Sequence, residues 1–541
     1  MSRAVTEAAV PVSGWAPLRR PVFRALWLAQ FVANTGTWMQ TIGAQWLMGD
    51  LGGGALATAL VQAASTLPVF VLVVPFGALG DILDRRRLLL TGQALMCGGA
   101  AGLTAATAFG RTTPPLLLGL IAVMGVGQAL SVPSFQAIQP ELVSRPEVPQ
   151  AAVLNGANFN VARAVGPAVG GLLIAAAGPA ATFAFNTMSF VGVLVVLYRW
   201  KRPPDHRPLG AEHVLAATRA GVRYILNAPR FATVLVRSAL FMIFASGLWA
   251  LLPAVARGPL GLGPDGYGVL LAGIGIGAVA GAFVVGRLRE MFGANTLVTV
   301  STAVYGMSMV VIGTQQRPGP VLPALTIAGA SWIGAQSTLN ATAQTLLPAW
   351  TRARALAYFQ LVFMGGQAFG ALGWGVLASL AGLRAAFVVP GVALLAVSAV
   401  TVRRLRLPRK SLDLSRKPFW PEPAVGPESD SSVGPVLVEV RWRVAEPDAE
   451  AFVEAMHHVS RSRKRTGATL WGLFRDVADP SVYVETFTVA TWHEHVRQHL
   501  ERGTAWDWEL EAAARSLTMD GAEPVVRHLI WAYALRLSPD R

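Results

Sequence analysis

The sequence predicts an all-α polytopic membrane protein that carries a small α+β domain at its C-terminal end. Of the 541 residues, 53% are hydrophobic and only 14% are charged, whereas soluble domains carry about 25% charged residues. A helix needs roughly 20 apolar residues to cross a bilayer, and such stretches recur through the first 404 residues. A different pattern of short alternating strands and amphipathic helices begins at residue 435. These observations exclude a soluble enzyme as a description of the whole chain.

Twelve apolar stretches, separated by glycine, proline and charged residues, predict twelve transmembrane helices. They are residues 23–48, 56–79, 88–109, 115–139, 150–177, 181–199, 232–256, 266–288, 295–314, 320–347, 352–380 and 384–402. The longest connection follows the sixth stretch, which divides the helices into two sets of six, as in transporters built from two repeats. The predicted domains are an N-terminal segment 1–22, a first half 23–200, a central loop 201–231, a second half 232–404, a linker 405–434 and a terminal domain 435–541.

The distribution of lysine and arginine predicts the orientation. One alternate set of connections holds 24 of these residues and the other set holds 4. Positively charged loops stay in the cytoplasm, so we expect both termini there and the protein in the plasma (inner) membrane, with lipid as its main contact. Because the basic excess is explained by orientation, we predict no nucleic-acid binding.

The central loop contains a stretch with helical periodicity. Val214, Ala217, Gly221 and Tyr224 recur at helical spacing, with arginines between them. This pattern predicts an amphipathic helix on the cytoplasmic membrane surface. A connector helix packed against the protein explains it equally well.

The connection between the second and third predicted spans reads GALGDILDRRR over residues 77–87. It resembles the cytoplasmic signature of the major facilitator superfamily, with Gly77, Asp81, Arg85 and Arg86 at matching positions. Two positions depart from the pattern: Ile82 and Asp84. A carboxylate beside several guanidinium groups can form a charge-assisted conformational latch between helices. Orientation in the membrane alone would explain the arginines but not Gly77 and Asp81.

The fifth predicted span contains a second motif, formed by Gly166, Pro167, Gly170 and Gly171. It is similar to the end of a signature found in exporting antiporters of the same superfamily. Glycines allow helices to approach closely, and an internal proline bends a helix; general glycine-rich packing is the alternative explanation. Together with segments 26–31 and 36–40, this motif makes the first 404 residues resemble the secretion-effector or enterobactin-exporter branch. That resemblance implies alternating-access efflux of a small amphipathic, siderophore-like or drug-like molecule, with proton coupling.

Polar side chains form stripes along several predicted spans, where they are costly unless they face a cavity or a partner helix. In the superfamily that the motifs resemble, helices 1, 4, 7 and 10 line a central cavity, and two of the stripes lie on two of these. The residues predicted to line the substrate cavity are Gln30, Asn34, Trp38, Asn155, Asn158, Arg163, Trp332, Gln336, Asn340, Gln344, Gln360 and Gln367. Hydrogen bonding between helices is the alternative for any one Asn or Gln.

Arg163 is the basic residue that lies well within a predicted span. A guanidinium at that depth needs a counter-charge, dipoles or water. Because no Asp or Glu lies at mid-depth in the predicted spans, we expect an anionic substrate to supply the counter-charge. The same absence leaves the proton carrier unassigned.

The terminal domain reads as β-α-β-β-α-β, the split order of ferredoxin-like folds. Predicted strands are 436–444, 469–477, 482–489 and 525–533, and predicted helices are 448–465 and 493–517. The domain resembles the dimeric α/β-barrel group of antibiotic-biosynthesis monooxygenases, which implies dimerisation. Residues 492–499, WHEHVRQH, are similar to the tail of many secretion-effector transporters.

Catalysis by the terminal domain is the alternative function, in which a fused monooxygenase-like domain acts on the transported compound. Enzymes of that group commonly use an asparagine, but this chain has none after Asn340. His495 and His499 have the i, i+4 spacing of a zinc-binding helix, but no Cys and no HExxH motif accompany them. We therefore predict a transporter rather than an enzyme, with no metal and no cofactor.

Overall fold

The computed structural model describes residues 13–200, 222–348, 350–408, 412–417, 433–519 and 523–531; at some helical positions, including Gly77 and Asp81, it describes the backbone alone. Within these described ranges, ten long helices precede the terminal domain. They are α1 (Pro21–Asp50), α2 (Ala55–Ile82), α3 (Arg85–Ala108), α4 (Pro114–Leu142), α5 (Val148–Ala177), α6 (Pro179–Arg199), α7 (Pro229–Arg257), α8 (Pro264–Thr314), α9 (Pro318–Thr345) and α10 (Arg352–Arg404).

Helices α8 and α10 are much longer than one membrane crossing. They contain 51 and 53 residues, or about 75–80 Å at 1.5 Å per residue, against a hydrocarbon core of roughly 30 Å. Each is interrupted by a glycine with positive φ, Gly293 at 78° and Gly382 at 83°. These breaks fall where the sequence predicts span boundaries. Among the described residues, eight helices are long and apolar enough to cross a membrane; twelve crossings remain a prediction.

Local sequence explains where several helices begin. Proline occupies the first turn of α1, α4, α6 and α8, where its missing N–H group is not needed. Asp84 caps α3 by accepting a hydrogen bond from the backbone N–H of Arg87 at 2.8 Å. In the first half, α1 packs against α5 and α6, α2 against α4, and α3 against α4 and α6; α5 also packs against α8 of the second half.

The terminal domain has the predicted order of elements. Strands β1 (Val436–Arg443), β2 (Leu470–Arg475), β3 (Val482–Val489) and β4 (Val525–Ile530) alternate with α11 (Ala449–Thr466), α12 (Trp492–Arg497) and α13 (Ala505–Arg515). The strands form one antiparallel sheet in the order β2-β3-β1-β4. The predicted all-α plus α+β fold is therefore confirmed.

One predicted helix of this domain is divided. The sequence predicts a single helix over 493–517, but a π-helical turn, Gln498–Arg502, follows α12, and α13 begins afresh after Thr504. Thr504 and Asp507 form a capping box, which satisfies backbone N–H groups at the start of α13 and so favours a new helix.

The core of the terminal domain includes buried charges. The Arg463 guanidinium lies 3.1 Å from a Glu485 carboxylate oxygen and 2.9 Å from one of Glu511, and all three side chains are at most 6% exposed. Burial lowers the pKa of His495 to about 4 and that of His499 to about 2. Both imidazoles are therefore neutral at pH 7.

The chain divides into two compact units. The first comprises Met1–Ala211, Arg237–Leu339 and Gln360–Arg406, and the second comprises Glu212–Val236, Asn340–Phe359 and Leu407–Arg541. Within the second unit, the Tyr224 hydroxyl donates to the backbone carbonyl of Leu346 at 3.3 Å. The Arg502 guanidinium lies 5.2 Å from the ring centre of Trp350.

The amphipathic stretch of the central loop falls largely outside the described residues, which resume at residue 222. Residues 222–226 are helical, and Tyr224 within them is buried. Tyr224 therefore contacts protein, and both interpretations of the loop stay predictions.

Candidate functional site

The buried guanidinium of Arg163 is surrounded by aromatic rings. Arg163, on α5, is 8% exposed. Its Cζ atom lies 6.0 Å from the ring centre of Phe159, one turn earlier on α5, and 5.8 Å from that of Trp332 on α9. Cations are attracted to aromatic faces at such distances, and more strongly where water is excluded. The fold thus brings together two predicted cavity residues, Arg163 and Trp332.

Further tryptophans extend this group to four helices. The Trp38 ring on α1 lies 6.4 Å from Phe159 and 6.0 Å from Trp249 on α7, and Trp249 lies 5.7 Å from Trp332. We call Trp38, Phe159, Arg163, Trp249 and Trp332 the aromatic–arginine cluster. Sequence reasoning missed Trp249, because a tryptophan in an apolar helix is indistinguishable from a core residue until its neighbours are known.

Several polar atoms beside the cluster have no hydrogen-bond partner among the described residues. They are the indole Nε1 atoms of Trp249 and Trp332 and the amide Oε1 of Gln336, all of which are buried. A buried donor or acceptor without a partner costs about 1–3 kcal/mol, so such groups call for an explanation. A ligand with acceptor oxygens would satisfy the two indole N–H groups.

Polar residues predicted on the first and fifth spans hydrogen-bond to each other. Gln30 donates to Asn34 at 3.2 Å, Asn34 donates to Asn158 at 3.0 Å, and Asn158 donates to the backbone carbonyl of Trp27 at 2.8 Å. This network joins α1 to α5. Asn155, one turn before Asn158, has a buried Nδ2 atom without a partner among the described residues.

Other predicted cavity residues are not joined to the cluster by any described hydrogen bond. Asn340 and Gln344 are exposed, belong to the second compact unit and bond to each other at 3.4 Å. On α10, Gln367 is 7% exposed and Gln360 is half-buried. These four residues stay predictions.

The glycines of the fifth span lie where helices approach each other closely. A Cβ atom added at Gly166 would lie 2.7 Å from the Cβ of Trp38, and one at Gly170 would lie 2.9 Å from the Cα of Met39. A Cβ at Gly171 would overlap the backbone of Gly268 on α8. Pro167 lies inside α5, beside these contacts. The motif therefore packs α5 against α1 and α8, beside the aromatic–arginine cluster.

The arginines of the predicted latch contact neighbouring helix ends. Arg86 donates to the backbone carbonyls of Leu197 at 3.0 Å and Tyr198 at 2.7 Å, at the end of α6. Arg85 lies 3.5 Å from the carboxylate of Glu141 on α4. The structure describes only the backbone at Gly77 and Asp81, so the latch stays a prediction. Sequence reasoning did not single out Glu141.

An ion pair joins the two helical halves at the opposite helix ends. The Arg257 guanidinium, at the end of α7, donates to the Asp50 carboxylate at 2.8 Å and to the backbone carbonyl of Trp46 at 3.1 Å. Its Cζ lies 4.3 Å from the Trp46 ring centre. We call Asp50, Arg257 and Trp46 the end clamp. Its members come from the two predicted membrane halves and lie about 200 residues apart in the chain, so no local pattern predicts it.

Comparison with known proteins identifies the family. A profile described as transmembrane secretion effector matches residues 12–534. The chain belongs to the transmembrane secretion effector family. It is 27% identical over 418 residues to the multidrug efflux pump Tap of Mycolicibacterium fortuitum, covering 74% of this chain and 99% of the relative. It is 26% identical over 337 residues to the enterobactin exporter EntS of Shigella boydii serotype 4 (strain Sb227), covering 59% and 76%.

Solved structures with the same fold are transporters. The nucleoside transporter NupG aligns with a TM-score of 0.57 at 11% identity, over 71% of this chain and 99% of that chain. A bacterial homolog of the human lysosomal transporter Spinster, in an inward-facing and occupied conformation, aligns with a TM-score of 0.57 at 14% identity, over 72% and 97%. At these identities the likeness shows the fold alone.

These findings confirm that this member of the secretion effector family is a multi-pass membrane transporter of the efflux type. The family and its relatives are transporters and not enzymes, which agrees with the prediction from sequence. None of these comparisons supports the alternative of a catalytically active terminal domain.

Proposed function

We propose that this transporter exports a small anionic aromatic molecule from the cytoplasm by alternating access. The aromatic–arginine cluster carries the proposal, because it combines a buried guanidinium, three indole rings and two unpartnered indole N–H groups. The rings would stack on a planar substrate, and the donors would bind its oxygens.

The substrate class is a catecholate or aromatic carboxylate, within the wider range of siderophore-like and drug-like compounds. The names of the two relatives, a multidrug efflux pump and an enterobactin exporter, support an amphipathic cargo. Arg163 favours an anionic substrate, since a guanidinium stays charged in a protein.

Alternating access needs contacts that form and break at the two ends of the helices. The end clamp and the close approach of Gly171 to Gly268 join the two halves at the ends that the positive-inside rule places outside. We propose that they close the outer entrance, that the predicted latch at Asp81 controls the inner one, and that both termini are cytoplasmic. We also propose proton antiport as the driving force, and self-association through the terminal domain.

Transport into inside-out vesicles tests this function. The probes are radiolabelled 2,3-dihydroxybenzoate and its neutral amide, which share ring and size but differ in charge. We expect proton-gradient-driven uptake of the anion that a protonophore abolishes, and several-fold slower uptake of the amide. Gradient-driven uptake of the probe into right-side-out vesicles would show that the protein imports its substrate instead of exporting it. Preference for the amide would overturn the proposed role of charge.

A further inference from the structure

Three histidines of the terminal domain converge in space. His495 lies on α12, His499 lies in the π-helical turn that follows, and His528 lies on β4. One ring nitrogen from each lies within 4.8 Å of the other two. The Nε2 atoms of His495 and His499 are 3.1 Å apart. The i, i+4 spacing in the sequence relates only His495 and His499. His528 joins them because of the position of β4 in the folded domain.

The spacing of these nitrogens suits a transition-metal ion. Zinc binds histidine nitrogen at about 2.0–2.1 Å with tetrahedral geometry, which places two such ligands about 3.3–3.4 Å apart. The observed 3.1 Å separation is within a few tenths of an ångström of that value. Imidazole ligands suit zinc, copper, iron and nickel, whereas magnesium and calcium prefer oxygen.

The surroundings favour the metal-binding form of the rings. His495 is 0% exposed and His499 is 8% exposed, and neutral imidazole is the form that binds metal. The Nε2 atom of His528 is buried and has no hydrogen-bond partner among the described residues. The Trp492 ring lies 5.5 Å from that of His495 and 5.7 Å from that of His528, so it covers the cluster on one side.

Two carboxylates partly offset the nearby positive charge. The Arg463 guanidinium is bound by two carboxylates, Glu485 and Glu511, so its charge is compensated. A cavity of about 20 Å³ lies beside His499 and is also lined by Gln498 and Thr466. A water molecule needs about 10–15 Å³. The cavity can therefore hold one water beside His499.

We propose that His495, His499 and His528 bind one divalent transition-metal ion per chain, with Zn²⁺ as the ion that the ligand set fits best. The ion joins the turn after α12 to β4, at the edge of the sheet, and so fixes the end of the terminal domain. This inference does not depend on the proposed transport function.

Metal analysis of the full-length transporter tests the site. The protein is purified in detergent without a polyhistidine tag, stripped with a chelator, incubated with Zn²⁺ or Co²⁺ and freed of unbound metal. We expect about one ion per chain, and with Co²⁺ the visible absorption of tetrahedral coordination. His499→Gln and His528→Gln should each lower retained zinc at least tenfold. The matched control His457→Gln changes an exposed histidine of the same domain and should retain it.

A ligand replacement separates loss of the site from loss of folding. In His528→Glu a carboxylate of similar reach replaces the imidazole, so zinc should remain bound and the Co²⁺ spectrum should stay tetrahedral with shifted bands. Each variant must elute as a single species of wild-type size. Less than about 0.1 ion per wild-type chain would overturn the proposal. Equal zinc retention by the wild type, His499→Gln and His528→Gln would do the same.

Discussion

Arg163 shows how a single residue can indicate a substrate class. A contact between charged and polar groups is worth about 1.5–3 kcal/mol, and each 1.4 kcal/mol changes affinity tenfold. Arg163→Gln should therefore weaken binding of 2,3-dihydroxybenzoate roughly ten- to a hundredfold, measured as Kd on purified protein. Arg163→Lys should recover part of the loss, since it keeps the charge without the planar fork.

Two controls accompany the Arg163 experiment: a neutral ligand and a variant at an exposed arginine. Binding of the neutral amide should change little in Arg163→Gln, and Arg317→Gln, which removes an exposed arginine, should bind both probes like the wild type. If Arg163→Gln binds the anion normally, Arg163 is a packing residue.

A substitution at Asp81 tests the predicted conformational latch. If its carboxylate binds arginines in only one conformational state, Asp81→Asn removes the charge and keeps the shape. Transport in vesicles should fall several-fold while the amount of folded protein in the membrane stays nearly constant. A parallel fall in both quantities would show that Asp81 is needed for folding instead.

At the scale of whole helices, the end clamp joins α1 to α7. Because its ion pair is partly exposed, we expect its loss to have only a modest effect on the conformational equilibrium. The side chains of Arg257 and Asp50 are 35% and 43% exposed, and exposed ion pairs contribute about 0–1 kcal/mol. Asp50→Asn should therefore shift the population toward the outward-open state by up to about fivefold. Thr41 is half-buried on α1, one turn after Trp38. The measurement is the rate at which an external, membrane-impermeant maleimide labels Thr41→Cys in a Cys97→Ala background.

The control for the clamp is an acid with a similar location but no described ion pair. Asp265, at the start of α8, is exposed, and Asp265→Asn should leave labelling unchanged. Exchanging the charges, in Asp50→Arg with Arg257→Asp, should restore the wild-type rate. Unchanged labelling in Asp50→Asn would remove the clamp from the transport cycle.

At the scale of the whole molecule, the terminal domain offers a surface for self-association. Leu470, Phe474 and Leu529 project from the sheet and are 70%, 60% and 47% exposed. We expect the full-length protein in detergent to be dimeric by light scattering, with Leu529→Glu increasing the dimer dissociation constant at least tenfold. Val477→Glu, in the turn after β2, changes an equally apolar residue that is 97% exposed and should leave the dimer intact. A wild-type protein that is monomeric at micromolar concentration would contradict this expectation.

The sequence by itself determined the helical architecture and the order of the terminal elements. Apolar length, proline at helix starts and strand alternation are local properties, so each can be identified without knowing the neighbours. The family resemblance rested on local motifs in the same way, at Gly166 and Pro167 for example. The division of the predicted helix 493–517 was missed because the capping interaction of Thr504 competed with a continuous helical pattern.

Tertiary structure alone decided which polar and aromatic residues meet. It placed Trp249 against Trp332 near Arg163 and joined Asp50 to Arg257. It also brought His528 close to His495 and His499, a pair for which the sequence predicted no metal. It also bonded Asn34 to Asn158, where the stripe on α1 left a cavity face and hydrogen bonding between helices as alternatives. A single helix shows which residues share a face, but the partner of that face depends on packing between segments that lie far apart in the chain.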